Sequence, residues 1–102
     1  MARVEILTVA GCPNVAPAVA LVERLAAELV VPLDLNVIEV SDPRDAQDRR
    51  FLGSPTVRVD GADVEPGASE RTGFALACRV YRTPEGPSGL PAREWIRAAL
   101  SP

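Results

Sequence analysis

Residues 4–29, VEILTVAGCPNVAPAVALVERLAAEL, decide the fold class. Residues 4–9 are short, apolar and rich in β-branched side chains, which predicts a buried strand. After the turn GCPN, apolar side chains recur every three or four positions from Val15, which predicts a helix with one apolar face. Because an interior proline removes a helical hydrogen bond, Pro17 requires this helix either to begin near residues 14–16 or to kink at the proline.

Further patterns extend this first strand and helix. Residues 33–40 predict a second, half-buried strand, and Ser41-Asp42-Pro43 is a helix-start signal before the charged residues 44–52. The alternation of residues 56–60 runs into Asp60-Gly61, a pair typical of hairpin turns. Residues 91–100 have the spacing of a C-terminal amphipathic helix.

The element order predicts the architecture. It is β-α-β-α-β-β-α, which indicates one α/β domain over residues 1–102 with a mixed sheet of about four strands and helices on both faces. The first strand–helix–strand unit implies a parallel pair, and the hairpin adds antiparallel strands. Residues 67–90 are the least readable part, because their apolar run, 74–81, fits a helix and a strand equally well.

Composition excludes several classes of site. The chain has 102 residues and a net charge of −3, so nothing indicates a nucleic-acid or membrane-surface partner. All eleven cations are arginine, and histidine and lysine are absent. This excludes Ser-His and Cys-His catalysis, imidazole metal ligands and Schiff-base chemistry. We therefore expect no cofactor and no assigned metal site, and covalent chemistry must use Cys12 or Cys78.

The N-terminus predicts a cytoplasmic protein. Val9-Ala10-Gly11-Cys12 resembles a lipoprotein cleavage box, but Glu5 interrupts the apolar stretch that a secretion signal requires. No apolar run reaches the roughly 18 residues of a membrane span. Two cysteines are also too few for a secreted disulfide scaffold.

Cys12 is the first candidate for chemistry. It lies where the first predicted strand passes into the first helix. Free backbone N–H groups and the positive end of a helix dipole favour the reactive thiolate there. The alternative is a small buried side chain without reactivity. The flanking Gly11 and Pro13 indicate a turn and favour the reactive interpretation.

Four motifs together resemble a known family. They are the stretches 11–14 (GCPN), 53–61 (GSPTVRVDG), 65–68 (EPGA) and 78–86 (CRVYRTPEG). The chain resembles small actinobacterial thioredoxin-like proteins over nearly its whole length. Members of that family are sometimes labelled alkylmercury lyases. We do not carry that activity over, because the lyase is understood as a larger protein of a different fold.

The resemblance implies a thioredoxin-like fold and assigns roles to named residues. Cys12 would be the nucleophile, and Pro55 would follow a cis peptide bond. Ser54 would lend backbone groups to a bound thiol partner. With Pro13 and Arg79, Ser54 and Pro55 make up the predicted substrate-binding residues.

One departure from the family's redox members concerns the second thiol. Val15 stands where a disulfide reductase carries its second cysteine, so no C-x-x-C dithiol exists. Cys78, beside Arg79, is the distant candidate for resolving a mixed disulfide, with the arginine favouring its thiolate. A core cysteine in a segment that covers the sheet is the equally weighted alternative.

Three functions follow. The leading one is a thiol–disulfide oxidoreductase in which Cys12 exchanges with a thiol- or disulfide-bearing protein or a small thiol, or is reversibly oxidised. The first alternative is binding of a soft metal, mercury or copper, by Cys12 and Cys78. The second is a non-catalytic interaction module. We further predict that the two cysteines face one pocket, with residues 67–90 folded over the N-terminus of the first helix.

Overall fold

A computed structural model describes residues 1–101, and Pro102, the last residue of the predicted domain 1–102, lies outside the described part. The strands are β1 (Ala2–Thr8), β2 (Leu33–Glu39), β3 (Thr56–Val59), β4 (Ala62–Asp63), β5 (Tyr81–Thr83) and β6 (Gly86–Ser88). The helices are α1 (Val15–Leu29), α2 (Pro43–Asp48) and α3 (Arg93–Leu100), and Ala68–Glu70 form a 3₁₀ turn.

The main sheet has four strands in the order β2-β1-β3-β4. Strand β1 runs parallel to β2, with Ala2 opposite Leu33, and antiparallel to β3, with Val4 opposite Val59. The Asp60-Gly61 turn joins β3 to the antiparallel β4, as the sequence predicts. The predicted α/β class and mixed sheet of about four strands are therefore confirmed.

Two apolar clusters lie on opposite faces of the sheet. Because successive strand residues point to opposite faces, Ile6 packs with α1 and α3, whereas Leu7 packs with Ala46 of α2. The larger cluster joins β1 and β3 to α1 and α3, and the smaller one contains Leu7, Val40, Ala46 and Phe51. The helices thus cover both faces, in agreement with the prediction.

Local signals place the helix starts. Helix α1 begins at Val15, so Pro17 lies in its first turn. In α2, the Asp42 carboxylate accepts a hydrogen bond of 2.8 Å from the Asp45 N–H. Helix α3 begins at Arg93, slightly later than the predicted start at residue 91. No helix within residues 1–101 has the length and apolarity needed to cross a membrane.

Residues 67–90 adopt mostly irregular structure, which the sequence does not predict. They form the 3₁₀ turn, an irregular segment and the β5–β6 hairpin. The loop after the hairpin lies against the start of α1. The two are so close that a Cβ on Gly89 would collide with the Asn14 Nδ2. Gly89 therefore reaches the N-terminus of the first helix, and the folding of the rest of residues 67–90 over it stays a prediction.

Candidate functional site

Cys12 lies in a tight turn between β1 and α1. Its N–H donates to the Val9 carbonyl at 3.3 Å, and Gly11 has a φ of 75°, as the third position of a type II turn requires. A residue with a Cβ rarely adopts that φ, so the glycine is needed for the turn. The cysteine is half-buried and makes no disulfide, and the neighbouring Pro13 is exposed.

Ser54 lies beside the end of β1. Its hydroxyl shares a 2.9 Å hydrogen bond with that of Thr8, the last residue of β1. The Ser54–Pro55 peptide bond is cis, as predicted. Both residues are fully buried. Two of the four residues assigned to substrate binding are thus out of reach of solvent in this conformation.

The chain covers Ser54 with its own backbone. We call residues 75–80 the covering segment. The Ser54 N–H donates to the Ala77 carbonyl at 2.8 Å, and the Ser54 carbonyl accepts from the Arg79 N–H at 2.9 Å. Cys78, between these two residues, pairs with Ser54 in a parallel bridge. The backbone groups that the family resemblance assigns to a partner are therefore both occupied.

The covering segment brings Cys78 to the same end of the sheet as Cys12. Cys78 is bridged to Ser54, and the Ser54 hydroxyl contacts Thr8, four residues before Cys12. Cys78 is exposed, so the alternative of a core cysteine is wrong. It is also more exposed than Cys12. That the thiols share one pocket stays a prediction.

Arg79 points to the opposite side of the covering segment from Cys78. The exposed Cys78 and Val80 alternate with the buried Arg79 and Tyr81, because side chains alternate along an extended chain. The covering segment approaches Gly53 so closely at Arg79 that only glycine fits there. A Cβ on Gly53 would lie 2.9 Å from the Arg79 Cβ.

The Arg79 guanidinium is held by two carboxylates. It contacts Asp63 at 2.8 Å and Glu65 at 2.8 Å, and it donates to the Thr56 hydroxyl at 3.0 Å. Only 1% of the side chain is exposed. These contacts give Arg79 a structural role, and none of them is the predicted contact with substrate or with the Cys78 thiolate.

Tyr81 completes this buried cluster. Its hydroxyl donates to the Pro55 carbonyl, and the Arg79 guanidinium lies 4.3 Å from its ring centre. Burial of the phenol raises the pKa of Tyr81 far above its ordinary value, although the nearby arginine opposes the shift. Tyr81 therefore anchors the covering segment to the cis-proline turn.

The single tyrosine makes this burial measurable. We expect the folded protein to show no phenolate absorbance at 295 nm near pH 10, whereas the unfolded chain titrates at about 10. Because the pKa of Tyr81 is higher in the folded protein than in the unfolded chain, the neutral phenol stabilises the fold. This contribution to the free energy of unfolding is complete below about pH 10 and is lost as pH rises through the folded value. The chain has no lysine to titrate in that range.

The matched variant is Tyr81→Phe. Because it has no phenol to ionise, its free energy of unfolding should not show this fall between about pH 10 and 12. It should also lower stability at neutral pH by about 1–3 kcal/mol, since the buried Pro55 carbonyl loses its donor. A phenol that titrates normally in the folded protein would contradict the buried geometry.

Several of these contacts have no signal in the sequence. Thr8, Asp63, Glu65 and Tyr81 each meet a partner far along the chain.

Within residues 1–101, no group of three or more cysteine, aspartate and glutamate side chains is arranged to hold a metal ion. Two open clefts of about 470 and 520 Å³ lie beside α1 and beside β3–β4, and neither cysteine lines them.

The chain was compared with models of known protein families, with curated proteins and with solved structures, and none of the three comparisons finds a match.

Proposed function

We propose that this chain is a thioredoxin-like thiol protein that uses Cys12 for thiol–disulfide exchange, with Cys78 as the resolving thiol. The observation that supports the proposal is the pair of contacts made by Ser54: its hydroxyl contacts Thr8, four residues before Cys12, and its backbone is bridged to Cys78. The sheet order and the position of Cys12 between β1 and α1 also fit the proposed fold. A cytoplasmic setting, where thiols stay reduced, belongs to the same proposal.

The exchange proceeds in two balanced steps. The Cys12 thiolate attacks one sulfur of a partner disulfide, the partner's S–S bond breaks, and one partner thiolate leaves. The Cys78 thiolate then attacks the Cys12 sulfur of this mixed disulfide and expels the second partner thiolate. Two protons pass to the departing thiolates. The partner disulfide is reduced to two thiols, and the two cysteines are oxidised to one disulfide.

Single-cysteine variants test the role of Cys12. Cys78→Ser keeps Cys12, and Cys12→Ser keeps Cys78. We expect iodoacetamide at pH 7 to alkylate Cys12 faster than Cys78, by a factor of about two to five, because α1 begins three residues after Cys12 and its dipole favours negative charge near its N-terminus. Rates are measured by mass spectrometry on both variants.

This comparison separates two effects, because solvent exposure alone predicts the opposite order of the two alkylation rates. Cys78 is exposed and Cys12 is half-buried, so accessibility alone favours Cys78. Equal rates, or a faster reaction of Cys78, would remove the argument for Cys12 as the nucleophile. Alkylation of both unfolded variants in denaturant provides the control, where the two rates should converge.

A further inference from the structure

We infer that the partner of Cys12 is a low-molecular-weight disulfide or thiol and not an extended polypeptide, an inference that rests on the proposed exchange at Cys12. The deciding feature is the covering segment. It pairs with the backbone of Ser54, whose hydroxyl contacts Thr8 at the end of β1 that leads into the Cys12 turn, so an extended chain that approached Cys12 along Ser54 would find these backbone groups taken.

An extended peptide binds a protein edge mainly through its main chain. Such a peptide needs unpaired backbone N–H and carbonyl groups, and its affinity comes from pairing with them. At Ser54 both groups are already paired, at 2.8 Å with Ala77 and at 2.9 Å with Arg79. Ser54 is also fully buried. A peptide could pair there only after those two hydrogen bonds had been broken.

The covering segment is held firmly on both sides of Cys78. On one side, the Ala75 N–H donates to the Phe51 carbonyl at 3.2 Å. On the other, Arg79 is bound to Asp63 and Glu65, and the Tyr81 hydroxyl is bound to the Pro55 carbonyl. Displacing the segment would break these contacts and leave the Asp63 and Glu65 carboxylates and the buried Pro55 carbonyl without their partners. Leaving buried polar groups unpaired costs free energy, which opposes peptide entry.

A small disulfide avoids this cost. Cys12 lies in its own turn before α1 and remains half-exposed beside the exposed Pro13. A molecule of the size of a single cysteine derivative needs only the thiol and makes no demand on the Ser54 backbone. The reacting step is unchanged: the Cys12 thiolate attacks a disulfide sulfur, one S–S bond forms, one breaks, and one thiolate leaves.

Two probes with the same leaving group test the inference. The first is the mixed disulfide of N-acetylcysteine amide with thionitrobenzoate. The second is the same mixed disulfide within a blocked seven-residue peptide, Ala-Thr-Val-Cys-Val-Thr-Ala. The Cys78→Ser variant is used, so that the released thionitrobenzoate reports on Cys12 alone, and glutathione supplies each probe's intrinsic rate.

After normalisation, we expect the small probe to react at least about tenfold faster than the peptide, a difference of about 1.4 kcal/mol. In parallel, amide hydrogen exchange should show the Arg79 N–H, which donates to the Ser54 carbonyl, protected, and still protected when excess peptide is added. A peptide that reacts as fast as the small probe, or that removes this protection, would overturn the inference. If neither probe reacts faster with Cys78→Ser than with Cys12→Ser, the proposed exchange itself fails.

Discussion

Replacing Arg79 with methionine is expected to lower the free energy of unfolding by about 3–5 kcal/mol, because removing one partner of a buried ion pair leaves uncompensated charge. Asp63 and Glu65, whose side chains are only 13% and 10% exposed, would lose the guanidinium between them. Tyr81 would lose the cation over its ring. For a domain of this size, stability is typically about 5–15 kcal/mol, so the loss is a large share.

Arg71→Met is the matched control. Arg71 contacts the same Glu65 carboxylate at 2.6 Å, but 47% of its side chain is exposed. An ion pair with an exposed partner contributes at most about 1 kcal/mol, so this variant should stay close to the parent protein. Urea unfolding followed by the fluorescence of the single tryptophan, Trp95, measures both. Similar losses for the two variants would contradict the burial of Arg79.

The second large effect concerns the two cysteines together. Mild oxidation of the reduced protein is expected to give a monomer with a Cys12–Cys78 disulfide. A disulfide requires Cα atoms within roughly 7 Å and thiols that point toward each other. The Ser54 contacts with Thr8 and Cys78 bring the two chain segments together and support this expectation.

Tryptic peptides distinguish this product directly. Cleavage after arginine places the two cysteines in separate peptides, residues 4–24 and 72–79, which a disulfide would join. Cys78→Ser is the control, and it should give only linked dimers or adducts with the oxidant. If the parent protein also gives only intermolecular links, Cys78 can neither resolve a mixed disulfide nor share a bound metal with Cys12.

Predictions from the sequence succeed where the physical signal is local. The periodicity from Val15, the Asp60-Gly61 turn and the cap at Asp42 each depend on residues within a few positions, and the structure contains all three elements. The position of Cys12 between β1 and α1 follows from the same local patterns. The sequence itself therefore determined the elements up to β4, the C-terminal helix, the mixed sheet and the position of the first candidate residue, but not the β5–β6 hairpin.

Only the tertiary structure decided the surroundings of Ser54 and the direction of Arg79. The covering segment is held by backbone hydrogen bonds of Ala77 and Arg79 with Ser54, more than twenty residues earlier. Every non-proline residue offers the same backbone groups, so such pairing leaves no trace in residue type. The apolar run 74–81 indicates burial without showing which side chains turn inward. The inward position goes to Arg79 because Asp63 and Glu65, 16 and 14 positions away, lie there to neutralise it.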